Sequence, residues 1–293
     1  MGGLIFSFNG VISTVVLDHI TPFRLAQVRS IGAFFILLAI ALFIDRESLR
    51  APKKLLPKLA AYGIIGFAAV QAGYFLGIQR GVPLSLVLII EFTAPIWIVL
   101  WMRFIQKKIV SKLMWWGLVI GLTGLVLIAQ VWRGLTLDGL GVIFALLDAF
   151  ALALYFLVGE KLVGVKSSEA TMAWGFGVSS AFFAIIQPWW TFPFAELGRV
   201  VELTGRLAGV SIPTYYLILW IIVLGTAVPY FLVLNGLRGL SAATSSSIGM
   251  LEPVFGGIFA WIFLYEKLNF TQSVGAVVVL IGIYLANRAR ISV

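Results

Sequence analysis

The stretch PFRLAQVRSIGAFFILLAIALFI, residues 22–44, carries only two charges, Arg24 and Arg29, both near its start. At 1.5 Å rise per residue, a helix of about 20 mostly apolar residues crosses the ~30 Å hydrocarbon core of a bilayer. Comparable runs follow one another along the chain with short polar breaks between them. Of 293 residues, 61% are hydrophobic and 11% charged, against roughly 25% charged in an ordinary soluble domain. A single-core globule has nowhere to hide so much apolar surface, so the fold class expected is an all-α membrane protein whose solvent is largely lipid.

Ten transmembrane helices are predicted, near 2–18, 22–44, 57–79, 82–106, 111–132, 137–161, 168–189, 212–235, 240–264 and 269–290. Turn and charge signals punctuate them: Thr21-Pro22, DRESLRAPKK, QRGVP, QKKIVSK and NFT. The N-terminal run lacks a basic leader and carries Asn9, so it reads as a retained first helix. The one long break, from Pro188 to Pro213, spaces Glu196, Arg199, Glu202 and Arg206 by three and four. That spacing predicts a short surface helix, entered through Trp189 and Trp190.

Cysteine is absent, which removes disulfides and thiol chemistry. The net charge of +9 comes from Lys and Arg scattered between apolar runs, a pattern unlike a nucleic-acid face. Topology accounts for it: with ten helices, fourteen of the 21 basic residues fall on one side. By the positive-inside rule that side is cytoplasmic, and both termini lie there.

A shift of 158 lays Arg80-Gly81 on Arg238-Gly239, Pro95 on Pro253, Gly117 on Gly275 and Gly124 on Gly282. Residues 1–132 and 137–293 are therefore predicted to be two five-helix repeats. Five is odd, so the second copy enters the membrane upside down; the pair is inverted, which is transporter architecture with a site near the midplane. Each copy keeps a carboxylate shortly before its proline, Glu91 and Glu252, at slightly different depths.

The glycine-containing helices 5 and 10, the stretch MLEPVFGGIFAWIFLYEKL and the terminal GAVVVLIGIYLANR resemble the drug/metabolite transporter superfamily, specifically its EamA-type exporters. Within it the chain looks most like the YddG-type aromatic amino acid exporters of bacterial inner membranes. The first half departs from the pattern where Glu266 of the second is matched by Lys108. The resemblance implies alternating access about a central cavity, with Tyr74 and Tyr155 beside it.

Ionisable groups in lipid cost a few kcal/mol each, roughly, unless paired or hydrated. Arg29, Glu91, Asp148 and Glu252 are the ones so placed. For Arg29 a structural salt bridge to Asp148 across the halves competes with a role in binding a substrate carboxylate. For the glutamates, hydrogen bonding to a neighbouring helix competes with a proton switch. Tyr74, Trp97, Trp101, Tyr155, Trp174 and Tyr230 are candidates for one aromatic pocket, against ordinary packing. Asn9 and Ser245 are candidates for polar ends of the cargo, and Pro95 and Pro253 for gating hinges. His19 lacks companions for a metal site, and no cofactor is expected.

The expected function is a secondary transporter of the bacterial cytoplasmic membrane, exporting small organic metabolites, with amino acids favoured and aromatic ones first. A channel or facilitator, or a nucleotide-sugar or drug carrier, stands as the alternative. An enzyme is excluded by the lack of paired intramembrane aspartates or HExxH. Partners are a small-molecule substrate and the bilayer, with no nucleic acid. Gly73, Gly77 and Gly81, and Gly117 and Gly121, fit close packing within the chain or between two copies, and the sequence does not choose between monomer and dimer.

Overall fold

Residue Pro22 stands at the first position of a 23-residue helix, where its missing N–H costs nothing, and similar local rules set most boundaries of this chain. The computed structural model describes residues 2–107, 109, 111–129, 137–163, 165–239 and 251–291. Helices α1 (Gly2–Leu17) and α2 (Pro22–Ile44) open the fold. The predicted third helix is divided into α3 (Leu56–Ala61), a π-helical segment Tyr62–Ala69, and α4 (Val70–Gln79). The fourth is broken into α5 (Leu84–Glu91) and α6 (Ala94–Phe104), with Pro95 in the first turn of the second piece. Proline there has no N–H to give and crowds the preceding turn. Beside the break, the Thr93 hydroxyl donates to the Ile90 carbonyl at 2.7 Å.

Next come α7 (Lys112–Ala129), α8 (Gly139–Val163), α9 (Ser168–Ile186) and the short α10 (Phe194–Leu197). Two strands follow, β1 (Val200–Glu202) and β2 (Ser211–Pro213), and then α11 (Thr214–Ile222). A second π-helical segment, Val223–Ala227, leads into α12 (Val228–Gly239). The last helices are α13 (Leu251–Phe263) and α14 (Phe270–Ile291). Among the described residues, six segments are long and apolar enough to cross a membrane: 22–44, 53–79, 84–101, 139–162, 168–186 and 214–233. Shorter apolar helices occupy 5–17, 112–128 and 270–285. Of the predicted 240–264 helix, residues 240–250 lie outside the described residues.

The predicted surface helix is corrected. α10 stops at Leu197, and β1 pairs antiparallel with β2, Val201 opposite Ile212. Gly205 and Gly209 adopt φ of 66° and 89°, which a continuous helix forbids, and the adjacent Val200 and Val201 favour a strand. Charge spacing survives only in the exposed Arg199–Glu196 pair at 3.2 Å. At Gly205 a side chain would run into the Phe263 carbonyl, so the hairpin is seated on the end of α13.

Glycines decide where helices touch. A Cβ on Gly124 would lie 2.6 Å from the Val279 nitrogen and 2.8 Å from the Gly275 carbonyl, and one on Gly282 would lie 2.7 Å from the Gly117 carbonyl. α7 and α14 thus cross backbone to backbone, and the numbering runs up one helix as it runs down the other. The small faces at Gly117 and Gly121 serve packing inside the chain.

α2 and α9 are also antiparallel, and each clasps the far end of the other. Arg24, near the start of α2, donates to the carbonyls of Gln187 and Pro188 at 3.2 Å and of Thr191 at 3.1 Å. Gln27 adds a bond to the Gln187 carbonyl at 2.6 Å. At the opposite end Lys166, before α9, donates to the Arg50 carbonyl at 2.8 Å and to that of Ser48. Ser167 N–H reaches the Ser48 hydroxyl at 2.8 Å, and the Trp174 indole reaches the Leu49 carbonyl at 3.0 Å. Burial pushes the Lys166 ammonium below the ordinary lysine range, with the charge of Asp45 opposing. Both cations sit where a helix end exposes carbonyls and partial negative charge.

Glu266, between α13 and α14, caps α5. Its carboxylate accepts from the Leu84 N–H at 2.7 Å, the Ser85 N–H at 3.1 Å and the Ser85 hydroxyl at 2.7 Å. Its repeat partner, Lys108, lies outside the described residues.

Gly282→Ala would press a methyl onto backbone that cannot swing aside, costing about 1–3 kcal/mol. Thermal unfolding of the detergent-solubilised protein should show a lowered midpoint. Gly257→Ala, whose Cβ would meet only Ser85 Cβ at 3.9 Å, should leave the midpoint in place.

Candidate functional site

Arg29 lies two turns into α2 and is 4% exposed. A guanidinium so buried must find acceptors inside the protein, and the second π-helical segment supplies them. The Arg29 Nε donates to Thr226 Oγ1 at 2.5 Å and Nη2 to the Gly225 carbonyl at 3.2 Å. Thr226 passes its own proton to the Ile221 carbonyl at 2.6 Å. The Phe75 and Tyr230 rings stand 5.5 and 6.0 Å from the guanidinium carbon, near enough for cation–π attraction. Widened π turns leave carbonyls open to such side-chain partners and recur at functional places.

The expected Arg29–Asp148 salt bridge is corrected: among the described residues the pair is not within ion-pair distance. Arg29 turns two of its N–H groups to Thr226 and Gly225 instead. Asp148 on α8 is fully buried, and neither carboxyl oxygen has a hydrogen-bond partner. Its backbone faces α4 where only glycine fits, since a Cβ on Gly73 would sit 2.8 Å from Asp148 Cβ and 2.9 Å from the Phe144 carbonyl. Arg29, Glu91 and Glu252 all lie close enough to Asp148 to act on it electrostatically.

The same neighbourhood gathers groups from other helices. The Asn9 side chain of α1 presses on Gly225, and its Oδ1 has no donor. A Cβ on the adjacent Gly10 would meet the Tyr74 hydroxyl at 2.7 Å. Tyr74 feels the charges of Glu91, Glu252, Arg29 and Asp148. Glu91, the last residue of α5, and Glu252, the second of α13, keep accessible surface while Asp148 has none. The Ser7 hydroxyl donates to the Glu252 carbonyl at 2.9 Å, tying α1 to α13. Contacts in this region thus join α1 to the second π segment through Asn9, α1 to α4 through Gly10 and Tyr74, and α4 to α8 through Gly73 and Asp148.

A neutral polar network lies beside it. Ser30 and Ser179 hydroxyls are 3.0 Å apart, and the Gln71 amide donates to Ser30 at 3.1 Å and to the Phe67 carbonyl at 3.1 Å. Phe67 belongs to the first π-helical segment, so each of the two π segments has a carbonyl held by a buried polar side chain.

A family model described as the EamA-like transporter family matches residues 1–130 and again residues 139–288. The chain belongs to the EamA-like transporter family. It is a multi-pass transmembrane transporter of the drug/metabolite type, with a small-molecule substrate, and not an enzyme. It is similar to an uncharacterized transporter of Archaeoglobus fulgidus, 24% identical over 95% of this chain and 94% of that one. It is 29% identical to the threonine/homoserine exporter RhtA of Salmonella typhimurium, over 80% of this chain and 72% of that one. A crystallographically solved protein chain shares the fold, with a TM-score of 0.61 at 14% identity, over 97% of this chain and 96% of that one.

In this EamA-like chain Trp97, Trp101, Tyr155, Trp174 and Tyr230 belong to one apolar cluster, and Tyr74 to another. Tyr155 and Tyr230 pack with Tyr62, Phe67 and Phe176: Tyr62 stacks on Tyr155 at 5.5 Å and Phe67 on Tyr230 at 5.5 Å. Trp97 stands edge-on to Phe150 at 5.7 Å, and Trp101 packs in the same apolar cluster. Trp174 is pinned to the turn after α2. Helix periodicity shows which side chains share a helix face but not which helices that face meets. Ser245 lies outside the described residues, and Pro253 falls in the first turn of α13.

Thr226, Gln71, Ser30 and Ser179 were not singled out from sequence, because attention went to charged residues. Gln71 inside the run AAVQAGYF was the available signal. Among the described residues, no three His, Asp or Glu side chains converge to hold a metal ion.

Lysine at position 29 cannot span Thr226 and Gly225 with one planar fork. Arg29→Lys should therefore lose about 1.5–3 kcal/mol, the range for hydrogen bonds to a charged group. A lowered unfolding midpoint in detergent, matched by Thr226→Val, would register the loss.

Proposed function

We propose that this chain is a ten-helix, inverted-repeat secondary transporter that exports amino acids across a bacterial cytoplasmic membrane by alternating access, with both termini inside. The observation that carries the cargo assignment is a buried guanidinium, Arg29, in the same interior as the unpartnered Asp148 carboxyl. A zwitterion offers one group to each: its carboxylate to Arg29, its ammonium to Asp148 or to the accessible Glu91 and Glu252. Three carboxyl groups around one guanidinium repel phosphates, which disfavours sugar nucleotides. The Tyr230 ring beside Arg29, with Phe67 and Tyr155 behind it, favours aromatic side chains. A second reading, small hydroxylated amino acids, is favoured by the relative named a threonine/homoserine exporter.

Several features support the inverted repeat. A shift of 158 carries residues 65–69 of the first π segment onto Val223–Ala227, the second, and Phe67 onto Gly225, the two carbonyls held by side chains. Gly124 meets Gly275 while Gly282 meets Gly117; under the same shift these contacts exchange, as they do across a two-fold axis. The α2–α9 clasps are reciprocal in space, though the shift of 158 does not lay Arg24 on Lys166. Loop pairings agree with the charge bias: the turn after α2 meets Lys166, both on the predicted inner side, and Glu266 meets Leu84, both on the outer.

Counterflow in proteoliposomes tests the function. Vesicles loaded with unlabelled phenylalanine should take up labelled phenylalanine transiently above equilibrium, and the overshoot should be larger than with threonine. A channel gives no overshoot. Exchange of nucleotide sugars with no amino acid exchange would overturn the assignment.

A further inference from the structure

We infer that the basic turn joining α2 to α3, residues 45–58, binds the phosphodiester headgroups of acidic phospholipids in the leaflet it faces. The site is independent of the cargo assignment; on the orientation proposed above, the leaflet is the cytoplasmic one.

Five cations, Arg46, Arg50, Lys53, Lys54 and Lys58, follow one another along this turn, and all five are exposed. Among the described residues none has a carboxylate within ion-pair distance. Of the two acids in the turn, Asp45 accepts from the Ser48 N–H at 3.1 Å and acts on the Lys166 ammonium. That leaves Glu47 against five positive charges. Like charges gathered on one short turn repel, and a row of phosphates relieves them. Lys166 shows what a structural cation looks like here: it is 7% exposed, with its ammonium on the Ser48 and Arg50 carbonyls. Among the described residues, the five exposed side chains make no such bond.

Apolar neighbours put those charges at the depth of the phosphates. Phe43 and Ile44, the last residues of α2, are 92% and 66% exposed, and Leu56 at the start of α3 is exposed as well. In a transmembrane protein such side chains belong among acyl chains, and cations just beyond them fall at headgroup level. Lys54 and Lys58 stand one helical turn apart, both outward, while Leu59 beside them is buried. The turn is also held in shape. Two 3-10 turns, Glu47–Leu49 and Lys53–Leu55, flank Pro52. Lys166, the Ser167 N–H and the Trp174 indole grip Ser48, Leu49 and Arg50 from the start of α9. A headgroup therefore meets cations on a turn already fixed, and its binding adds stability to the α2–α9 clasp.

The test uses the full chain in detergent, with phosphatidylglycerol or phosphatidylcholine added at equal concentration and thermal unfolding as the readout. Phosphatidylglycerol should raise the midpoint more than phosphatidylcholine. Salt at about 1 M, where the screening length falls to about 3 Å, should erase the difference. The variant Arg50→Gln/Lys53→Gln/Lys54→Gln/Lys58→Gln should unfold like the parent without lipid. It should need at least about tenfold more phosphatidylglycerol for the same shift, since each cation at an anionic surface contributes about fivefold. Arg199→Gln/Arg206→Gln removes charge from the hairpin instead and should keep the parent's response. Equal midpoints with the two lipids, a four-site variant that responds like the parent, or a hairpin variant that loses the response equally would each overturn the site. A measurement on the unaltered protein guards against misfolding of the variants: a photoactivatable phosphatidylglycerol should label peptides within residues 43–58. Labelling confined to other segments, or an equal midpoint shift from inorganic phosphate alone, counts against lipid as the occupant.

Discussion

In a bilayer every buried polar group must be answered from within the protein, and here the answer is organised around two widened helix turns. The π segments Tyr62–Ala69 and Val223–Ala227 each present a carbonyl that a neighbouring side chain takes up, Gln71 at Phe67 and Arg29 at Gly225. An α-helical carbonyl keeps one lone pair for a side chain, as Ile221 does for Thr226, and the widened turn adds the Gly225 carbonyl. The guanidinium stays deep because the π turn before α12 brings Thr226 and Gly225 to it. Substitution on either side leaves the other unsatisfied, which is the expensive direction of a buried hydrogen bond.

The contacts that hold the helices together are reciprocal, and they differ in kind. Between α7 and α14 the join is backbone on backbone through glycine, with no long side chain to repack. Between α2 and α9 it is a cation at each end, set on the other helix's terminal carbonyls. Such joins favour rigid pairs. The breaks lie elsewhere, at Phe92–Thr93 between α5 and α6, next to Glu91 and Pro95. On the reading proposed above, motion belongs to the broken helices, and the clasped and glycine-packed pairs form the frame they move against.

The helical membrane character was legible from apolar run length, and the close glycine packing from residue spacing, because both depend on local sequence. The shift of 158 that lays Pro95 on Pro253 also lays residues 65–69 on Val223–Ala227, both π-helical, which no residue motif announced. A π turn arises from what packs against it, so Tyr62–Ala69 reads as ordinary helix until α9 is in view. The Arg29–Asp148 bridge was expected because charge attracts charge, yet a threonine and a carbonyl hold Arg29, since the turn brought them closer. The hairpin at Val200–Pro213 was misread because charges at helical spacing outweighed Gly205 and Gly209, whose φ values decide the matter. Five of the six aromatic candidates share one apolar cluster, and Trp174 among them also pins a turn through its indole N–H.

On the inverted-repeat reading proposed above, symmetry alone would give the two faces equal energies, and directed export would need them unequal. The sequence departs from that symmetry at particular residues. Where the second half has Glu266, the first has Lys108. At the α5 end, Glu266 answers two backbone N–H groups and a hydroxyl, joining the α13–α14 connection to the start of α5. Lysine has only donors to give, so it cannot make that bond to the N–H groups of any helix start. The two faces therefore cannot be latched by the same chemistry. Likewise the carbonyl of one π turn is held by a charge and the other by an amide, and only the charged one lies beside an unpartnered carboxyl. On that reading a repeated scaffold would supply two related shapes, and these single-residue departures would give the shapes different energies.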